Sequence, residues 1–177
     1  PQELALNKEQ PRAWFFAFSN VDEARKVLPQ HSPYWMSLDG TWKFNWVGNP
    51  EERPADFYQP AYDVSAWDDV TVPMQWNVAG IQKDGSLKYG VPIYANQPVI
   101  FQHKVEVGDW KGGVMRTPPK DWVTYKHRNE VGSYRRTFSV PAGWEGREVY
   151  INFDGVSSFF YLWVNGHYVG FSKNSRN

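Results

Sequence analysis

The chain has no cysteine, only three methionines, no surplus of either charge and no long apolar run. The first absence removes disulfides and thiol chemistry. It leaves the compartment open between periplasm and cytoplasm, because cysteine-free proteins occur on both sides of a membrane. Lysine plus arginine and aspartate plus glutamate stand at 19 each, so nothing electrostatic favours nucleic acid or an anionic membrane as a partner. No apolar stretch approaches the roughly 18 residues of a transmembrane helix. Neither a nucleic-acid nor a membrane partner is expected. No signal peptide is recognisable, and the first residue is Pro1 rather than Met, which leaves room for a leader removed beforehand.

The usual signatures of chemistry are missing too. His31, His103, His127 and His167 lie far apart in the chain with no i, i+4 pair among them, so no zinc site is expected. No Gly-x-Ser-x-Gly elbow occurs. The glycines of residues 80–90 and 108–113 lack the Lys-Ser/Thr ending of a phosphate loop and a helix to follow it. A glycosidase needs two carboxyl groups flanking the bond, about 5 Å apart for retention of configuration. Asp68 and Asp69 are neighbours on or near a strand and would point apart. Asp154 lies in a Phe-Asp-Gly-Val turn, where Asp commonly caps its own backbone. Structural roles are expected for all three.

What the chain does have is aromatic residues: ten Trp, ten Tyr and eleven Phe, 18% of the sequence. Such side chains bury large areas, and their faces also stack against the C–H faces of sugars. At 177 residues the chain suits one domain able to bury about 70% of its unfolded surface. Residues 1–37 read as an irregular arm with one short helix near 22–28, started by Asn20 three residues before Glu23 and stopped by Pro29. Order begins near Leu38. Residues 41–47 alternate polar and aromatic with period 2, which marks a strand with one buried face. Residues 69–73, 132–141 and 149–156 read as further strands, with short extended pieces at 92–94 and 99–105 in a long, poorly periodic stretch. Short strands, turn signals and almost no helix predict an all-β sandwich, with jelly-roll topology preferred.

The clearest local signal is a hairpin. Two aromatic-rich runs, residues 158–164 and 167–171, flank Asn165-Gly166, the pair a type I′ turn prefers because both central residues need φ > 0. In unbroken register Leu162 pairs with Val169 and Phe160 with Phe171. That puts Phe160, Leu162, Val164, Val169 and Phe171 on one face, and Phe159, Tyr161, Trp163 and Tyr168 on the other, with Asn174 on the second face by parity. The polar ending, residues 172–177, reads as a chain cut rather than finished.

Several segments together resemble the N-terminal domain of family 2 glycoside hydrolases, specifically the large β-galactosidases. They are Leu38-Asp39-Gly40-Thr41-Trp42-Lys43-Phe44, then Trp67-Asp68-Asp69-Val70-Thr71-Val72-Pro73-Met74-Gln75-Trp76, then Pro92-Ile93-Tyr94-Ala95-Asn96 and Asn129-Glu130-Val131-Gly132-Ser133-Tyr134. The match closes on Phe153-Asp154-Gly155-Val156, Leu162-Trp163-Val164-Asn165-Gly166 and Val169-Gly170-Phe171-Ser172-Lys173-Asn174-Ser175-Arg176. The resemblance implies a jelly-roll, galactose-binding-domain-like sandwich over residues 38–177, truncated at its C-terminal end. It would belong to a longer retaining β-galactosidase whose catalytic glutamates lie in a TIM barrel absent from this chain.

The resemblance also implies two substrate contacts. The Asn of the Pro-Ile-Tyr-x-Asn segment maps onto Asn96, and an Asp of the segment after the hairpin maps onto Asn174. That family Asp touches a sugar hydroxyl and helps hold sodium. A carboxamide keeps an acceptor oxygen and gains two donors but loses the charge, which weakens the case for sodium at Asn174. No cofactor is implied in this chain, with magnesium and sodium left to the parent enzyme. The implied partners are a β-galactoside or oligosaccharide substrate, the remaining domains of the parent and further copies in a homo-oligomer. Two alternatives stand beside this reading: an autonomous carbohydrate-binding module, and a structural or oligomer-forming sandwich.

Overall fold

A computed structural model describes residues 5–8, 15–90 and 130–173. The class is all-β, as expected: strands in antiparallel sheets, with two short helices among the described residues. The chain divides into two compact units. One comprises Pro1–Leu38, Tyr58–Tyr62 and Thr137–Asn177, the other Asp39–Phe57 and Asp63–Arg136.

The second unit is built on a three-stranded antiparallel sheet. In chain order its strands are β2 (Gly40–Val47), β3 (Asp68–Val72) and β4 (Val131–Arg135), with β2 in the centre. The alternation read from the sequence sets the faces. Phe44 pairs with Asp68 on one side and Tyr134 on the other, so these side chains share the face that carries the core. Phe44 is fully buried and clusters with Val70 and Tyr89, ringed by Trp42, Trp46, Val72, Met74, Trp76 and Tyr134. Its ring lies edge-on to Tyr89 at 5.0 Å, tilted against Tyr134 at 4.7 Å and stacked with Trp76 at 6.0 Å. Full burial of such a side chain contributes about 1.5–3 kcal/mol, and edge or offset aromatic contacts add to it. Burial also drives the Tyr134 phenol up to about 12, because the phenolate would be stranded away from water. On the opposite face Lys43 pairs with Asp69, Nζ to Oδ1 at 2.9 Å.

The first unit contains a second three-stranded sheet, with strands β1 (Ala5–Leu6), β5 (Phe159–Val164) and β6 (His167–Lys173) in the order β1-β6-β5. Helix α1 (Val21–Arg25) starts where the Asn20 side chain accepts the Glu23 N–H at 2.9 Å. It stops earlier than the sequence suggests, with Val27 already at φ +58 and a 3-10 turn over Pro29–His31. The segment after it is tied down by polar contacts. Ser32 Oγ donates to the Ala17 carbonyl, the Trp144 indole N–H donates to the Pro33 carbonyl at 2.8 Å, and the Arg147 guanidinium lies over the Tyr34 ring.

The hairpin turn is as expected, with Asn165 at φ 52 and Gly166 at φ 84. Its register is not. Val164 pairs with His167 and Trp163 with Tyr168, but a bulge then puts Leu162 opposite Gly170 and Tyr161 opposite Phe171. Val169 is the extra residue. A bulge shifts every later side chain by one position, so Phe171 joins Phe159 and Tyr161 on the aromatic face instead of facing away from them. Lys173, opposite Phe159, takes that face too. The parity that assigned Asn174 to it assumed an unbroken strand.

Two other expected elements differ. The strand read over 132–141 ends at Arg135. Residues 149–156 form no strand. Their alternation is real, yet an extended segment becomes a strand only when a neighbour exchanges backbone hydrogen bonds with it, and no ladder partner faces them among the described residues. The extended pieces at 92–94 and 99–105 lie outside the described residues.

Candidate functional site

Asn96 and Asn174 both lie outside the described residues. The described structure instead contains the two supports from which the chain reaches them: the stem around Tyr89, Gly90 and Glu130, and the end of β6 at Lys173.

The stem begins at helix α2 (Trp76–Ala79), which is capped by Gly80. A backbone turn over residues 81–87 follows, with Ile81 bridged to Leu87 and Asp84 accepting from both the N–H and the hydroxyl of Ser86. The Lys88 N–H donates to the Gly80 carbonyl at 2.9 Å, which brings the chain back over the helix end. Gly80 leaves no room for a side chain: a β-carbon there would sit 2.8 Å from the Tyr89 nitrogen.

Tyr89 then turns into the core. Its hydroxyl donates to Asp68 Oδ2 at 2.8 Å, and Lys88 Nζ donates to Asp68 Oδ1 at 2.6 Å. The Lys88 hydrogen bond holds the Asp68 carboxyl below its ordinary pKa, against the opposing effect of burial. The same contact raises Lys88, while Tyr89 is raised first by burial and then by Asp68. Phe44, Asn45, Trp46, Ala66, Trp67, Asp68, Lys88 and Tyr89 line a shallow open recess beside this cluster. Asp69 points to Lys43 instead, so the adjacent carboxylates diverge and do not form a working pair. Asp154 accepts from the Asn152 side chain at 2.7 Å.

The arrangement makes Asp68 a measurable anchor. Its folded pKa is depressed, so its stabilising contribution is present above the unfolded value of about 3.9 and is lost as pH falls through the folded value. Asp68→Asn is expected to melt at lower temperature than the parent chain at pH 7. The gap should close as both are taken below about pH 4. Melting curves across pH would check this, and a gap independent of pH would deny Asp68 that role.

Among the described residues no three His, Asp or Glu side chains gather as a ligand set. On the hairpin, Phe159, Tyr161 and Tyr168 stand about half exposed, and Trp163 stacks on Tyr58 at 5.4 Å. Sequence reasoning missed the stem residues Tyr89, Gly90 and Glu130. A Gly flanked by an aromatic and a Pro-Ile-Tyr segment is the only local sign of them.

Comparison with known proteins decides the family. Residues 35–177 match the profile of the glycosyl hydrolases family 2 sugar binding domain. The chain belongs to this family. Among its relatives, a beta-galactosidase of Priestia megaterium is 33% identical over 99% of the chain and 15% of its own length. A beta-galactosidase of Halalkalibacterium halodurans is 34% identical over 97% of the chain and 15% of its own length. The beta-galactosidase large subunit of Lactobacillus helveticus is 34% identical over 85% of the chain and 23% of its own length. The chain thus spans about 15% of the length of the first two relatives.

Proposed function

We propose that this sugar-binding domain belongs to a retaining β-galactosidase, supports its catalytic barrel and completes its galactose subsite through Asn96 and Asn174. One observation carries the reading: nearly the whole chain aligns with about 15% of the length of each of two proteins named beta-galactosidase. The reacting carboxylates, with any magnesium or sodium, then come from other parts of the parent. The parent assembles as a homo-oligomer in this reading, and its substrate is a terminal β-D-galactoside or oligosaccharide.

The chemistry of the two asparagines supports the assignment. Each carboxamide offers two donors and an acceptor, the set that hydroxyl groups need. The neutral side chain at 174 suits a hydroxyl better than a cation, because no formal charge remains to offset the ion's lost hydration.

The isolated chain is expected to hydrolyse no chromogenic galactoside. Turnover above buffer by a pure preparation would refute the proposal. A second reading, a self-sufficient carbohydrate-binding module, is favoured by the exposed aromatic face of the hairpin. Its rings, however, lie at 38–90° to one another rather than in one plane. Calorimetry with galactose, lactose and a polysaccharide panel separates the two, since a module binds saturably at millimolar concentration and a dependent wall of a pocket does not.

A further inference from the structure

We propose that the outer edge of β5 pairs with the same edge of a second copy of this chain, antiparallel and centred on Tyr161. The inference rests on the hairpin alone and is independent of the β-galactosidase reading. β5 stands at the end of its sheet, with β6 on one side and no strand on the other among the described residues. A strand in that place presents backbone N–H and C=O groups with which another strand can pair.

Proteins guard such edges by keeping them short, by charging them, or with proline or a bulge. The other edge strands of the two sheets are guarded in this way. β1 has only two residues, β3 opens on Asp68-Asp69, and β4 ends on Arg135. β5 has no guard. Its six residues, Phe159-Phe160-Tyr161-Leu162-Trp163-Val164, include no charge, no proline and no glycine. The bulge beside it places its extra residue, Val169, on β6. Aromatic and β-branched residues favour extended backbone, and a short uncharged run of them is the pattern of a segment that pairs with its own copies.

Self-complementarity selects an identical chain as the partner. Two identical strands in a closed antiparallel pair are related by a two-fold axis, and residues directly opposite one another lie on the same face. Centring the axis on Tyr161 sets Tyr161 against its own copy, Phe159 against Trp163 of the second copy, and Phe160 against Leu162 of the second copy. Phe159 and Tyr161, both about half exposed, then gain ring neighbours, and no charge meets a like charge. Centring one residue later, on Leu162, would leave Phe159 overhanging without a partner. A charged peptide would find no ion on this strand to pair with.

The test is sedimentation equilibrium of the 177-residue chain. Its average mass is expected to rise toward that of a dimer between about 1 μM and about 1 mM. Tyr161→Lys opposes two introduced lysines across the axis and should weaken self-association at least about tenfold. Val140→Lys, at an exposed site outside the sheet, adds the same charge and should leave it unchanged. The chain has no cysteine of its own, so a single introduced one reports the register. Directly opposed residues hold their β-carbons about 4.5–5.5 Å apart, within reach of a disulfide after a small shift. Tyr161→Cys should therefore cross-link into a dimer on mild oxidation. Phe159→Cys, whose copies would stand about 13 Å apart along the strands, should not. If Tyr161→Lys does not fold, the two cysteine variants decide alone. A chain that stays monomeric at every concentration overturns the inference and leaves the edge to another segment of the parent or to none. Association undiminished in a folded Tyr161→Lys, or equally lost in Val140→Lys, overturns it too, as does cross-linking through Phe159→Cys in place of Tyr161→Cys.

Discussion

Replacing Phe44 with alanine is expected to lower the unfolding free energy by about 3–5 kcal/mol, the largest single effect available in the described residues. Phe44 has no exposed surface and is the only residue whose large side chain is fully buried among them. Its removal withdraws a ring that Tyr89, Tyr134 and Trp76 all pack against. These neighbours come from three separate segments, so no one backbone shift closes the cavity, and the penalty sits toward the upper end of the range. Gly132 shows how little slack there is: a β-carbon there would lie 2.6 Å from Trp76 and 2.8 Å from Phe44. Since whole domains are stable by only about 5–15 kcal/mol, the variant should unfold at a much lower urea midpoint, followed by tryptophan fluorescence. A loss below about 1 kcal/mol, the size of an ordinary substitution, would mean that the core of this sheet lies elsewhere.

Gly170→Val is expected to release β1 from the edge of β6. Ala5 pairs with Ser172 and Leu6 with Phe171, and the Asn7 side chain donates to the Val169 carbonyl at the bulge. A β-carbon on Gly170 would run into the Leu6 carbonyl oxygen, with the carbonyl carbon at 3.1 Å. Backbone cannot swing aside as a flexible side-chain tip can, so the two-residue strand must lift. Overpacking of this kind costs about 1–3 kcal/mol. Valine itself favours strands, so local propensity would push the other way, and any loss must come from the clash. Hydrogen exchange should show the amides of Ala5 and Leu6 losing protection while those of β2, β3 and β4 keep theirs. Unchanged protection at Ala5 and Leu6 would show that the edge does not need the missing side chain.

These two sites differ in how far the sequence announces them. Phe44 stands in a period-2 run whose polar and aromatic residues alternate, and that pattern names its buried face without help from the rest of the chain. Gly170 follows an extra residue that no pattern reveals. The run from His167 to Phe171 alternates acceptably in either register. The bulge is chosen by the ladder, where Tyr161 meets Phe171 and Leu162 meets Gly170 while β1 lies against the far edge. The missing strand at 149–156 teaches the same lesson in reverse: good alternation, no ladder.

The candidate site divides along the same line. Asp68 and Asp69 diverge because adjacent residues of a strand must, and that was readable. That Asp68 meets Tyr89 across 21 residues, or that Glu130 fills the gap beside Gly90, was not. Each contact joins segments whose local signals are ordinary.

By itself the sequence determined the all-β class, the Asn165-Gly166 turn, the inward face of β2 and the family, since each depends on local conformational preference or on residues in a characteristic order. Tertiary structure alone decided the hairpin register, the docking of β1 and the pinning of the stem at Gly90 and Glu130. Those outcomes depend on which distant groups compete for the same space and the same hydrogen bonds, and no window along the chain contains both competitors.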